Sequence, residues 1–305
     1  MKILLFEDQE IHPDAIRMLM DRGFDIIRER SEKYDRNEID AFFIRSYTNA
    51  NSILLEQFMN LRFVLRAGVG LDNVDLQSCE KLNIRVFNSP GSNANAVSEL
   101  VICQMILLLR DFSQQMSRLR DGKWRSRTFM GSEIKGKTVG LVGCGAVGRL
   151  VAEKLVAFGV NDMICFDPVL DQKSLIPRHI IKCELDEVFQ RADIITFHLP
   201  LNTETRHEVD SKKLSLMKKG ACLVNTSRGA IINEQDLIDA LQSGNLGGVA
   251  LDVFENEPHI NPQLLNFPNV VLTPHVGSFS MESDREMSVE AVSNFLKFLD
   301  SEEYK

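Results

Sequence analysis

The stretch "TVGLVGCGAVGRLVAEKLVAFGVNDMICFD", residues 138–167, runs from an apolar segment through three glycines into a helical pattern, then to a second apolar segment that ends in an acid. Strand, glycine turn, helix, strand and carboxylate, in that order, form the opening unit of a doubly wound parallel sheet. Each glycine has its own task. Gly143 permits the tight turn, Gly145 lets backbone approach a pyrophosphate, and Gly148 lets the helix pack closely on the strand. The free N–H groups of the helix start, at Ala146 and Val147, then face an anion. Asp167 follows Gly148 by 19 residues. A carboxylate there accepts hydrogen bonds from ribose hydroxyls and repels a 2′-phosphate, and no arginine follows at once in "DPVLDQ". The stretch therefore predicts an NAD site rather than an NADP site. The competing reading is a glycine-rich turn with no nucleotide, and the strand, helix and acid together weigh against it.

Working outward, the same alternation continues in both directions. After residue 136 the apolar runs are "TVGLVG", "MICFD", "DIITFHLP", "CLVNTSRG", "GVALDVF" and "VVLTPHVG", separated by helical segments such as "NEQDLIDALQSG". Before it they are "KILLF", "FDII", "AFFIRS", "RFVLRAG" and "IRVFNSPG". Runs of this kind, bounded by Gly, Asn and Pro, read as parallel strands buried on both faces. The expectation is an α/β protein with two doubly wound parallel-sheet domains: a Rossmann NAD-binding domain over 93–279 and a smaller, flavodoxin-like substrate domain over 1–92 plus 280–305. The segment "NANAVSELVICQMILLLRDFSQQMSRLRDGKW" between the series reads as one long connecting helix. The last segment places Val289, Val292, Phe295, Leu296 and Leu299 on one helical face, suited to packing on the first domain.

Composition narrows the function classes. The 305 residues carry 26% charged and 44% apolar side chains, ordinary for a globular protein, with a formal net charge of -8. That sign argues against nucleic acid or an anionic membrane as partner. The most apolar segment, "LVICQMILLL", is too short to span a bilayer, and acids follow the first apolar stretch too soon for a signal peptide. Six cysteines without a C-x-x-C pair fit reduced thiols in a cytoplasm better than a disulfide frame or a metal site.

Ligands of open parallel sheets gather beyond the carboxyl ends of the strands. In the second series those ends hold the glycine turn, Asp167, "HLP" (198–200), "TSR" (226–228), Asp252 and His275. Arg228 offers a planar donor fork that suits a carboxylate or a carbonyl beside one; a surface salt bridge is the plainer reading. Asp252 lies in an apolar strand and needs a partner, either a nicotinamide or, as a cap, a helix start. A histidine that takes and returns a proton gains from a carboxylate that orients the ring, and Glu255 and Glu257 both qualify on chemistry alone. Among six histidines, His275 combines a strand end, an apolar lead-in and the small residues Gly277 and Ser278 after it. His12 stands at a helix edge, His179 in a polar stretch, His207 in a charged loop, His259 beside an acidic turn, and His198 where it would border the cofactor.

Six segments of the chain resemble the D-isomer-specific 2-hydroxyacid dehydrogenases, and its phosphoglycerate-oxidising branch most of all. They are "RAGVGLDNVD" (66–75), "DGKW" with "FMG" (121–131), "GKTVGLVGCGAVG" (136–148), "LVNTSRGAIINEQDLIDAL" (223–241), "ALDVFENEP" (250–258) and "LTPHVGS" (272–278). The resemblance implies a catalytic trio of Arg228, Glu257 and His275, and it selects Glu257 over Glu255 as the acid just before the proline. It implies cofactor contacts from Gly143, Gly145, Ala146, Val147, Gly148, Asp167, Leu199, Pro200, Thr226, Ser227, Asp252, His275 and Gly277. Substrate contacts are implied for Arg45, Ser46, Val69, Gly70, Arg228 and His275, with Arg45 the main cation for a phosphate. Asn49 stands where the related pattern has lysine, and basic residues near Trp124 fall at Arg125 and Arg127. A homodimer through the NAD domain, with the 97–119 helix in the contact, is also implied, and serine feedback through an added domain is not expected. Another 2-keto acid reductase (glyoxylate, hydroxypyruvate or lactate type), a formate-oxidising or adenosylhomocysteine hydrolase-like enzyme and an NADH-sensing corepressor are the alternatives on the same scaffold.

Overall fold

The computed structural model describes residues 1–30, 33–175 and 180–302; His179 lies outside them. The chain divides into two compact units, Ala94–Gly277 and Met1–Asn93 with Ser278–Lys305.

The discontinuous unit is a five-stranded sheet of β1 (Lys2–Leu5), β2 (Asp25–Arg28), β3 (Ala41–Ile44), β4 (Phe63–Arg66) and β5 (Arg85–Phe87), in the order β2-β1-β3-β4-β5. Every pairing is parallel. Alternate residues serve opposite faces, as the pleat requires. Ile3, Leu5, Phe43 and Leu65 meet α1 (Pro13–Asp21) and the C-terminal helix Met281–Asp300, whose Val292 and Phe295 are fully buried. Leu4, Phe42, Ile44 and Val64 pack on the other side with Leu55 of α2 (Ser52–Leu55) and Cys79 of α3 (Leu76–Lys81). His12 caps α1 through its ring, which accepts the Asp14 N–H at 3.2 Å.

The continuous unit holds seven parallel strands: β6 (Thr138–Val142), β7 (Asp162–Phe166), β8 (Ile180–Lys182), β9 (Ile194–Phe197), β10 (Cys222–Asn225), β11 (Gly248–Leu251) and β12 (Val270–Leu272). Their order is β12-β11-β10-β9-β6-β7-β8. Chain direction across the sheet reverses between β6 and β9, which makes the end of β6 the switch point where ligands of such sheets bind. On one face α4 (Ala94–Leu109) and α6 (Ala146–Ala157) cover Val139, Leu141, Cys165, Val224 and Ala250. On the other, Val188 and Phe189 of α7 (Leu185–Arg191) and Leu237 and Ile238 of α9 (Glu234–Gln242) cover Phe197, Leu223 and Val249. Between α7 and α9 lies the short α8 (Ser211–Ser215). Both sheets match the doubly wound architectures expected from the alternation of runs. The short β8 was not foreseen.

The connecting helix differs from the expectation. It ends at Leu109, and α5 (Phe112–Arg120) begins after Asp111, which takes a left-handed φ of 50°. The cause is a competing donor. The Leu109 carbonyl, which a continuous helix would pair with residue 113, accepts the Ser132 N–H at 2.7 Å instead. All six thiols are free; Cys79, Cys144, Cys165 and Cys222 are buried, whereas Cys103 is exposed on α4. No helix among the described residues is long and apolar enough to cross a membrane.

Candidate active site

The glycine turn follows its sequence logic atom by atom. Gly143 has a φ of 96°, and a Cβ there would lie 2.9 Å from the His198 carbonyl carbon. A Cβ on Gly145 would meet open space, leaving the approach to the turn clear. A Cβ on Gly148 would sit 2.4 Å from the Gly143 carbonyl oxygen, so only glycine lets α6 start this close to β6. No side chain caps the start of α6, where Ala146 is exposed and Val147 half-buried. Asp167 fastens this turn to the next loop: Oδ2 accepts the Cys144 N–H at 2.8 Å, and Oδ1 accepts those of Val169 and Leu170 at 2.9 Å each. Burial pushes its carboxyl up, but these three donors and the Lys182 charge outweigh it and hold Asp167 below the usual carboxylate range.

Leu199 is buried against Gly143, and Pro200 is exposed, its carbonyl accepting the Thr205 hydroxyl at 2.7 Å. His198 lies beneath the glycine turn, 3.2 Å from the Thr196 hydroxyl. Burial pushes its pKa down to about 3, so it stays neutral at ordinary pH and is a poor proton carrier.

Asn225, which the sequence reading passed over, ends β10 and shapes the next loop. Its Oδ1 accepts the Ser227 N–H at 3.0 Å and the Ser227 hydroxyl at 2.8 Å, and its Nδ2 donates to the Arg228 carbonyl at 3.0 Å. An amide at the end of a wholly buried strand was the available signal. Arg228 is half-buried, with Nη1 donating to the Ser227 carbonyl at 2.7 Å. A Cβ on the adjacent Gly229 would fall 2.0 Å from the Phe254 carbonyl carbon. Glycine is therefore required for the loop after β10 to touch the loop after β11.

Asp252 is fully buried at the end of β11. Its partners come from the loop after β12: the Thr273 hydroxyl at 2.6 Å, the Val276 N–H at 2.9 Å and the Gly277 N–H at 2.8 Å. The helix-cap reading is thereby replaced, because this carboxylate closes a turn rather than starting a helix. Burial pushes Asp252 up, and the hydroxyl, the two N–H groups and the His275 charge only partly offset it. The Asp252 carbonyl also accepts the His275 N–H at 2.8 Å. His275 is thus clasped from behind and held at a left-handed φ of 53°, a strained conformation of the kind that clusters at functional sites.

The open choice between the two acids is settled by contact. Glu257 Oε2 lies 2.7 Å from His275 Nδ1, and Glu257 Oε1 accepts the Phe254 N–H at 2.9 Å. Glu255 serves another ring, lying 2.6 Å from His207 Nε2. This second histidine–glutamate couple was not foreseen from the charged loop around His207. Burial alone would push Glu257 up, but the hydrogen bond and charge of His275, the Phe254 N–H and the Arg228 charge hold it below the usual range. A depressed carboxylate keeps its stabilising role above its ordinary pKa of 4.5 and loses it only as pH falls through the lower folded value, so Glu257 is ionised at neutral pH. The contact of Glu257 with His275, and the close approach of Gly229 to the Phe254 backbone, bring Arg228, Glu257 and His275 into one neighbourhood of the Ala94–Gly277 unit. The remaining sequence candidates, Arg45, Ser46, Val69 and Gly70, lie at the carboxyl ends of β3 and β4 in the other unit.

One atom tests the fit to a dinucleotide. The Thr226 hydroxyl is buried at the end of β10 with no hydrogen-bond partner among the described residues. A buried, unsatisfied donor costs roughly 1–3 kcal/mol unless a ligand meets it. With the uncapped start of α6 and the open approach at Gly145, it fits a polar cofactor along this sheet edge. Among the described residues no group of three His, Cys, Asp or Glu side chains is arranged to hold a metal.

Residues 102–277 match the family model of the NAD-binding domain of D-isomer-specific 2-hydroxyacid dehydrogenases. The chain belongs to this family. Its cofactor is NAD, as the glycine turn and Asp167 predicted. A hydroxypyruvate reductase of Thermotoga maritima is 35% identical over 294 residues, covering 94% of this chain and 95% of that one. A D-3-phosphoglycerate dehydrogenase of Methanocaldococcus jannaschii is 34% identical over 297 residues, but this chain spans only 56% of its length. The crystal structure of a glyoxylate reductase from Paecilomyes thermophila superposes with a TM-score of 0.87 at 27% identity, covering 98% of this chain and 96% of that one.

Proposed function

We propose that this member of the NAD-dependent D-2-hydroxyacid dehydrogenase family interconverts a D-2-hydroxy acid and its 2-keto acid, with Arg228, Glu257 and His275 as its catalytic residues. The contact of Glu257 with His275 Nδ1, at 2.7 Å, carries the reading. A carboxylate accepting at Nδ1 fixes the proton there in the neutral ring and leaves the Nε2 lone pair for the substrate. When bound, NAD supplies the hydride acceptor or donor at its nicotinamide ring. In oxidation, His275 Nε2 takes the proton of the C2 hydroxyl as the C2–H bond gives up its electron pair. In reduction, protonated His275 returns that proton to the carbonyl oxygen. Arg228 holds the substrate carboxylate and polarises the carbonyl.

Two substrate groups fall within this class. D-3-phosphoglycerate is favoured by the match to phosphoglycerate dehydrogenases and by an arginine at position 45. Hydroxypyruvate and glyoxylate are favoured by the relatives of similar length. The deciding assay follows NADH loss with glyoxylate, hydroxypyruvate, pyruvate and 3-phosphohydroxypyruvate. Turnover of at least one is expected; NADH binding without turnover of any would instead favour a nucleotide sensor.

The quaternary proposal is a homodimer through the NAD-binding unit. Helix α4 is apolar almost all round, yet Ile106 to Leu109 are only partly covered. Beyond it Met116, Leu119, Trp124 and Met130 are 51%, 62%, 77% and 76% exposed. So much exposed apolar surface along one stretch of the chain supports this proposal. Sedimentation equilibrium should give twice the 34.5 kDa chain mass, and a monomer would refute the proposal.

A further inference from the structure

Gln104 stands out from its surroundings. It lies midway along α4, in the run "LVICQMILLL", and is fully buried, as are Val101 and Met105 of the same helix. Its Oε1 has no hydrogen-bond partner among the described residues. A leucine would fill this space without leaving a polar atom unmatched. Its Nε2, however, donates to the Thr273 hydroxyl at 3.2 Å. Thr273 in turn donates to Asp252 Oδ1 at 2.6 Å.

This chain of hydrogen bonds has a direction. A threonine hydroxyl has one proton to give. Because Thr273 accepts from Gln104, its proton is left for Asp252. The opposite orientation, with the Gln104 carbonyl toward Thr273, would draw that proton away and suit a protonated Asp252. The other partners of Asp252 also donate: Val276 N–H to Oδ1 at 2.9 Å and Gly277 N–H to Oδ2 at 2.8 Å. A proton on either oxygen would set donor against donor and loosen the turn that carries His275. Helix α4 packs against the same turn, since a Cβ on Gly277 would lie 3.0 Å from Asp252 Oδ2, 3.4 Å from a Val97 methyl and 3.8 Å from a Leu100 methyl. Among the described residues the charge that acts on Asp252 is that of His275. Helix α4 faces the turn with uncharged Gln104, Val97 and Leu100, and β10 with the Asn225 carbonyl, which accepts the Asp252 N–H at 2.9 Å.

We propose that Gln104 is a positioning residue for His275: it fixes the Thr273 hydroxyl as a donor to Asp252, keeps that carboxylate ionised, and so holds the turn 273–277 in its working shape. This rests on the proposed function, in which His275 carries the proton. A hydrogen bond given to the charged form of a buried acid favours that form. Without Gln104 the Thr273 proton is free to turn away, and burial, which already pushes Asp252 up, acts on it with less opposition.

The experiment records kcat, KM and the pH–kcat profile of the wild type, Gln104→Leu, Thr273→Val and the double variant, with a 2-keto acid that the wild type reduces. Gln104→Leu removes an unmatched carbonyl from an apolar layer, so its Tm should equal or exceed that of the wild type. Asp252 stripped of a donor takes up its proton at a higher pH, so the working form is lost sooner as pH falls. The acid limb should therefore move upward by about half a unit to one unit, lowering kcat there about three- to tenfold, while the plateau kcat and the KM for NADH stay within about threefold. Gln104→Met, which keeps the length of the side chain, should show the same shift. Thr273→Val should move the limb at least as far, and the double variant should match it, because Gln104 acts through Thr273. Profiles of Gln104→Leu and Gln104→Met that superpose on the wild type overturn the proposal, and so does a double variant whose shift is the sum of the single ones. Neither result touches the reaction class. A wild type that turns over none of the 2-keto acids overturns the reaction class and this proposal together.

Discussion

His275→Asn is expected to lower turnover by about 10²–10⁴-fold while NADH binding stays within a few-fold of wild type. The expectation rests on how separable the ring is from its loop. The loop is built by Asp252, which takes the Thr273 hydroxyl and the Val276 and Gly277 N–H groups, and by the Asp252 carbonyl, which takes the His275 N–H. None of these contacts uses the imidazole. Among the described residues the imidazole's hydrogen bond goes to Glu257. Asparagine is the better replacement because residue 275 has a φ of 53°, a conformation that Asn tolerates and Ala adopts at some cost. The variant should therefore fold, bind NADH as judged by fluorescence titration, and fail in proton transfer. Glu257→Gln should fall between it and the wild type, because an amide still touches Nδ1 but no longer balances a charged ring. Turnover of His275→Asn within tenfold of wild type would remove His275 from the role. His198, held neutral beneath the glycine turn, offers no ready substitute.

What the sequence made legible were features whose physical cause is local. The glycine turn needs a positive φ at Gly143 and close contact at Gly148, and both demands are written in residue type. The strand ends are legible for the same reason: Asp167, Arg228, Asp252 and His275 are polar residues that terminate apolar runs. What stayed hidden depends on partners distant in the chain. Nothing near Leu109 announces that Ser132 will take its carbonyl and break the helix. Nothing near Asp252 announces Thr273, and Glu255 reads like Glu257 until His207 is seen beside it. Glu7 is the sharpest case. An acid directly after "KILLF" looked like a reason to discount a signal peptide, yet its carboxylate organises a loop 38 to 41 residues away. The family pattern pointed to Arg45 as a phosphate ligand by residue type, whereas the ion pair with Asp284, across 239 residues, changes what that arginine has to offer.

Arg228→Lys should lower kcat/KM for 2-keto acids by about 10²–10³-fold, the scale of losing one preorganised donor at a developing oxyanion. The charge is kept, so the loss measures geometry. Lysine is a point charge on a flexible stem, whereas the guanidinium presents a flat fork that engages a carboxylate and the neighbouring carbonyl at once. The protein commits several contacts to aiming that fork. Asn225 pins Ser227 and the Arg228 carbonyl, Gly229 admits the Phe254 backbone at a distance no Cβ allows, and Nη1 is tethered to the Ser227 carbonyl. An ammonium cannot reproduce both the tether and the fork. Both kcat and KM should worsen, because in the proposed reaction the same group binds the ground-state carboxylate and stabilises the charge that grows on the carbonyl oxygen. The Arg228 charge also helps keep Glu257 ionised. Keeping a positive charge in the lysine variant should leave the acid limb of the pH–rate profile near its wild-type position, while Arg228→Met should move that limb upward as the Glu257 carboxylate loses a favourable neighbour. A lysine variant with wild-type kcat/KM would show that a cation of any shape suffices at position 228, and the role of the fork would have to be given up.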